Sequence, residues 1–198
     1  MIETVVVEQL KASDKTGLID LLVSAFKEHP LIPSLGAEKA LARKGMNAFL
    51  DCFGGADSSA AYGIRKDDEV ISALLCMDAD AEPARSALMQ LVFLLARTVG
   101  WDTVKGFEVI AREEPKYQGR YLEIMIFGTL PECQQQGFGR KLLQFLYDEA
   151  RRLDYIGLTL LADHNTPAFK LYSREGFVVD RDFTIGNSNL CWMRLDFQ

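Results

Sequence analysis

The sequence predicts an α/β (α+β) chain built on a mixed, mostly antiparallel sheet of about seven strands with flanking helices. Three observations predict it. The run 121–162 alternates strand, helix and strand, and a unit of this length makes a right-handed crossover between two parallel strands. Residues 60–77 and 177–197 each read as two extended runs across a polar turn, which is the pattern of an antiparallel hairpin. Finally, no repeat, low-complexity tract or linker divides the 198 residues, so one domain over 1–198 is expected.

Taken in order, Thr4 to Leu10 is rich in valine and reads as the first strand. Ser13 offers an N-cap to a helix in which Leu18, Leu21, Leu22, Ala25 and Phe26 recur at helical spacing, and Glu28-His29-Pro30 stops it. Pro33 and Gly36 keep the next stretch irregular; Glu38 to Phe53 is helical and closes on Gly54-Gly55. Ala60–Arg65 and Val70–Met77 form a hairpin across Lys66-Asp67-Asp68-Glu69. Pro83 suits the first turn of a helix running to about Val99, with Gly100 as its stop. Val104, Phe107, Ile110 and Ala111 mark a shorter helix, followed by a polar break from Glu113 to Gly119. Then come strand Tyr121–Leu130, helix Gly137–Leu153, strand Ile156–Ala162 and helix Asn165–Glu175, which has Pro167 in its first turn and ends at Gly176. Phe177–Ile185 and Leu190–Phe197 pair across Gly186-Asn187-Ser188-Asn189.

Composition narrows the function. A net charge of −6 repels polyanions, so no nucleic-acid partner is expected, whereas a cationic small molecule suits such a surface. The run Asp67-Asp68-Glu69 reads as a solvated turn. The longest apolar stretch, Leu88 to Ala96, is interrupted by Gln90 and too short to span a bilayer, so no membrane partner is expected. Met1-Ile2-Glu3 opens without a basic, then apolar, leader, and a cytoplasmic location is expected. Cys52, Cys76, Cys133 and Cys191 are scattered, with no CxxC and no clustering in the sequence with His29 or His164. Neither a disulfide framework nor a metal site is expected.

The chemistry concentrates in Gln134-Gln135-Gln136-Gly137-Phe138-Gly139-Arg140, between an apolar strand and an amphipathic helix. Glycines there leave backbone N–H groups accessible at a helix start, whose dipole adds about half a positive charge, and this suits a pyrophosphate. Arg140 and Lys141 add charge. A dinucleotide fingerprint needs GxGxxG and a Walker loop needs GxxxxGK[ST]; neither is present. The spacing Gln134-x-x-Gly137-x-Gly139 instead resembles the acyl-CoA loop of the GNAT superfamily of N-acetyltransferases. The preceding Phe127-Gly128-Thr129-Leu130-Pro131-Glu132 is similar to the family's strand end. Asn165 with Ala168, Leu171-Tyr172 and Gly176-Phe177 is similar to its second motif helix.

The resemblance implies a GNAT-like fold, with the sheet splayed between two central parallel strands, 121–130 and 156–162, and the pantetheine arm of acetyl-CoA in the gap. Backbone groups of Phe127, Gly128 and Thr129 would pair with that arm as an added strand does. Gln134, and the amides of Gln135, Gln136, Gly137, Phe138, Gly139 and Arg140, would hold the pyrophosphate. Asn165 would bond the arm near the thioester. Tyr172 would bind the cofactor and protonate the leaving thiolate. The implied reaction is transfer of an acetyl group from acetyl-CoA to a primary amine, with no metal. A helical insertion at 78–119, where the family has a short turn, would wall the acceptor side and favour a small amine. Thr129 and Gln134 depart from the commoner valine and arginine.

Glu123 is the candidate base, because it interrupts an apolar strand and by simple alternation shares a face with Met125 and Phe127. The alternative is that it pairs with Arg120 and supports the sheet. His29 and His164 read as surface or helix-end residues, Trp101, Phe107 and Tyr117 as core or rim aromatics, and Cys133 lacks a partner for an acyl-cysteine route. A CoA-binding module without transfer, or transfer to a protein amine or a hydroxyl, is the alternative function. The chain is expected to be a monomer or a homodimer.

Overall fold

In a computed structural model, which describes residues 6–26, 39–55, 58–98 and 101–198, the chain opens with β1 (Val7–Gln9) and a tight turn at Ala12–Asp14. Helices α1 (Lys15–Ala25) and α2 (Lys39–Phe53) follow, then the hairpin β2 (Ala60–Lys66) and β3 (Glu69–Asp78). Helices α3 (Arg85–Thr98) and α4 (Trp101–Glu113) lead to β4 (Tyr121–Thr129), α5 (Phe138–Arg152), β5 (Gly157–Asp163) and α6 (Pro167–Arg174). The strands β6 (Val178–Ile185) and β7 (Ser188–Asp196) close the fold.

Seven strands make one sheet in the order β1-β2-β3-β4-β5-β7-β6. Every neighbouring pair is antiparallel except the central β4 and β5, which the α5 crossover makes parallel. The β2–β3 turn places both Asp67 and Asp68 at positive φ, 49° and 64°, the mirror-image turn that matches strand twist. At the other hairpin only Gly186-Asn187 turns the chain; Ser188 and Asn189 already belong to β7.

Ser13 does not cap α1. It sits inside the Ala12–Asp14 turn, and Asp14 occupies the cap position, its carboxylate accepting from the Lys11 amide at 2.7 Å. Likewise Asn165 lies outside α6, whose N-cap is Thr166: its hydroxyl accepts from the Phe169 amide and Pro167 opens the helix.

Helix α1 covers one face of the sheet with α2 packed on it, and a side chain on Gly128 would meet Leu21, Leu22 and Ala25 of α1. The opposite face carries α5: Tyr62 of β2 stacks on Phe145, and Leu142, Leu143 and Leu146 are fully buried with Leu74, Leu158 and Leu160. Apolar faces of this size on both sides of a sheet are what a layered core requires. Helix α3 packs on α2, and α4 reaches β6, where Glu113 pairs with Arg181. The two helices therefore bridge from α2 to the β6 edge.

Candidate active site

The β4–β5 ladder is short. Tyr121, Leu122, Glu123 and Ile124 pair with Gly157, Leu158, Thr159 and Leu160, and pairing stops there, although both strands continue. From Met125 to Thr129, β4 is bonded on its β3 side alone, which leaves backbone groups on the other side facing a gap. This is the splay expected from the family resemblance.

The strand carries a bulge at the same place. Leu75 of β3 lies opposite Ile126 and Cys76 lies opposite Ile124, so Met125 has no opposing residue. The extra residue shifts the alternation by one. Before it, Glu123 shares a face with Met77 and Thr159; after it, Phe127 is opposite Leu74 on the α5 face. The expectation that Glu123, Met125 and Phe127 line one face is therefore corrected: Glu123 and Phe127 point to opposite sides of the sheet.

On the α5 side, Phe127 packs against Tyr172 with ring centroids 6.3 Å apart, and a Cβ on Gly139 would lie 3.0 Å from its Cζ. Gly139 thus lets the start of α5 approach the strand. Tyr172 is buried and also stacks on Phe177 at 5.7 Å. Burial, with a smaller contribution from Tyr147, pushes its phenol well above the ordinary range, so it stays protonated at neutral pH.

The turn into α5 presents its amides as the glycine pattern predicts. Gln135 (φ 60°) and Gly137 (φ 86°) both adopt left-handed backbone, and a Cβ on Gly137 would touch nothing within 4 Å. The first bond within this helix runs from the Lys141 amide to the Gly137 carbonyl, so the amides of Phe138, Gly139 and Arg140 have no partner inside the helix. Gln134 and Gln136 turn their side chains inward to brace the loop, donating to the carbonyls of Thr129 (3.1 Å) and Glu132 (2.9 Å). The Arg140 guanidinium is paired with Glu175 at 2.8 Å, which ties α5 to the end of α6 and leaves its charge largely balanced. Asn165 is exposed at the mouth of the gap, its amide held by the Asp163 carboxylate at 2.8 Å.

On the other side, Glu123 makes no ion pair with Arg120, whose guanidinium reaches Asp78 and the Leu153 carbonyl and covers the Tyr155 ring. Burial lifts the Glu123 carboxyl to about 8, and the nearby Glu114 charge adds to the effect. Glu114 is itself raised, chiefly by burial. Tyr117, whose burial pushes its hydroxyl to about 12, stands 3.4 Å from the Thr159 hydroxyl and stacks on Tyr121. The segment 114–121 thus builds an acidic, aromatic wall beside Glu123. Glu114 carried no signal in the sequence, where it belongs to a polar break; only the return of the chain after α4 brings it to β4.

Of the other candidates, His164 bonds Asp182 and packs on Phe169, Trp101 is exposed, and His29 falls outside the described residues. Cys133 is partly exposed and unpaired.

A strand edge opened beside a glycine-bearing helix start can receive an extended ligand that carries phosphate. The model of the acetyltransferase (GNAT) family matches residues 33–177. The chain belongs to the GNAT acetyltransferase family. No curated protein matches it by sequence. Among solved structures it is similar to a histone acetyltransferase HPA2 and related acetyltransferase from Corynebacterium glutamicum, at 19% identity over 96% of this chain and 94% of that one, TM-score 0.69. It is also similar to the PaiA N-acetyltransferase of Thermoplasma acidophilum in complex with coenzyme A (14%, 98% and 99%, TM-score 0.59). A third is Arabidopsis thaliana NAA60 with a bisubstrate analogue (14%, 98% and 98%, TM-score 0.57). At these identities the shared property is the GNAT fold.

Proposed function

We propose that this GNAT protein moves an acetyl group from acetyl-CoA to the primary amine of a small molecule, by direct attack in a ternary complex. The chain acts as one unit over 1–198. The observation that carries the reading is the end of the β4–β5 ladder at Ile124 and Leu160, directly before the amides that open α5. Phe127, Gly128 and Thr129 line the open edge that takes the pantetheine arm; the Thr129 carbonyl, which Gln134 holds, exchanges that bond for one to the ligand. The turn from Gln134 to Arg140 holds the pyrophosphate through backbone N–H groups and the helix dipole, since the Arg140 side chain is engaged elsewhere.

The acceptor approaches from the Glu123 side. Helices α3 and α4 span that face as a lid, and Glu114 and Glu123 favour a cationic amine. Glu123 takes the proton from the ammonium, and the freed nitrogen attacks the thioester carbon. As the C–N bond forms and the C–S bond breaks, Tyr172 gives its proton to the departing sulfur. A phenol raised by burial is a weak acid, but a thiolate in the same dry pocket is destabilised by the same cause, so the transfer remains balanced. With the bulge at Met125, base and acid would approach one carbonyl from opposite sides of the sheet.

The test is acetyl-CoA consumption with a panel of small amines, beside peptides and alcohols, together with calorimetry of CoA binding. Turnover with small amines is expected. Tight CoA binding without any turnover would make the protein a CoA-holding module; turnover confined to peptides or alcohols would move the acceptor class.

A further inference from the structure

A second cluster lies at the end of β5, apart from the proposed transfer residues. Asp182 of β6 is directly opposite Cys191 of β7, which is opposite Ala162 of β5; His164 follows two residues later. Residues opposite one another share a face, and so do residues two apart. The register puts the Cys191 thiol and the Asp182 carboxylate on one side of β7 and β6, and the turn after β5 brings the His164 imidazole beside them. Their potential ligand atoms all lie within 4.8 Å of one another. We infer that His164, Asp182 and Cys191 form a binding site for a transition-metal ion, best suited to Zn²⁺.

The donor set argues for the identity. Nitrogen, thiolate and carboxylate together suit zinc, whereas calcium and magnesium take oxygen alone. Three protein ligands leave a fourth position of a tetrahedron, and the site is open on one side: the Cys191 sulfur forms its buried floor while His164 and Asp182 reach solvent. The imidazole is held in place by more than one contact. Its Nε2 lies 2.7 Å from Asp182 Oδ1, its ring packs on Phe169 at 4.4 Å, and its backbone amide donates to Asn189. Asp163 adds negative charge from behind, its Oδ2 buried without a hydrogen-bond partner. A divalent ion balances this local excess of negative charge, and the thiol proton leaves to solvent as the sulfur–metal bond forms. Bound there, the ion would fasten the β6–β7 hairpin to the turn that carries Asn165.

The test uses the full-length protein stripped with a chelator and titrated with Co²⁺ and then Zn²⁺. One equivalent of Co²⁺ should produce a thiolate-to-metal charge-transfer band, and Zn²⁺ should erase it and raise Tm. Loss of an outer-shell partner already costs about 10- to 100-fold in metal affinity, so Asp182→Asn and His164→Asn should each weaken binding by at least as much. Cys191→Ser should abolish the band, with circular dichroism and CoA calorimetry establishing that this variant is folded. Absence of the band with wild type, or unchanged affinity in both Asp182→Asn and His164→Asn, overturns the inference. None of these readouts depends on transferase activity.

Discussion

The two halves of β4 differ more from one another than β4 differs from its neighbours. From Tyr121 to Ile124 the strand is bonded on both sides and belongs to a closed sheet. From Met125 to Thr129 it is bonded on one side and presents an edge. Free strand edges are normally blunted because they recruit other chains. Here the edge is flanked by the start of α5, where Gly139 lies against Phe127, and by the departing end of β5. The closed half contributes Glu123 and the open half contributes Phe127 to Thr129, so one strand serves both sides of the proposed reaction.

That division can be broken from either end. The largest effect is expected in the closed half: Glu123→Gln should lower kcat/KM by about 10²- to 10⁴-fold, the usual range for a general base, with acetyl-CoA affinity retained. In wild type, kcat/KM should rise with pH through about 8, because only the ionised carboxylate can accept a proton; this limb should vanish in the variant. Stability carries the opposite sign. A carboxyl raised in the folded state binds its proton more tightly there, so its contribution is fully present below about 4.5 and is lost as pH rises through about 8. Glu123→Gln should therefore gain Tm relative to wild type between pH 5 and 9.

On the open side, Tyr172→Phe should reduce kcat by about 10²-fold at constant acetyl-CoA Kd. An unchanged rate removes the phenol from the mechanism. Gly137→Ala should weaken CoA binding by up to about tenfold and lower Tm by roughly 2–8 °C. The added methyl meets nothing within 4 Å, but left-handed backbone costs a non-glycine residue about 1–2 kcal/mol. Smallest is Glu114→Gln, which removes a like charge from beside Glu123 and should move the activity limb to lower pH without reducing its plateau. A limb that stays in place would separate the acidic wall from the base.

Much of this was legible in the residues. Glycine and aspartate turns, apolar periodicity and the proline at the start of α6 place most helices and strands to within a residue or two, because those signals are local, although α4 begins at Trp101 ahead of Val104 and β1 spans only Val7–Gln9. The bulge was not legible: Ile124, Met125 and Ile126 are all apolar, so the run gives no cue to which of them lacks a partner. Long-range pairs were equally hidden. Arg140 and Glu175 meet only because α6 folds back along α5, and His164, Asp182 and Cys191 meet only through the β6–β7 register. Ser13 misled because a serine before a helix is a good cap only when its own backbone is extended, and here the chain is already turning.

The single unpaired residue at Met125 acts as a parity switch. Because side chains in a strand alternate, one extra position is enough to decouple what points up from what points down along its length. Substitutions around Glu123 therefore act on the opposite side of the sheet from Phe127. In the proposed reaction, this lets the half that takes the cofactor be kept while the other half is fitted to a new acceptor.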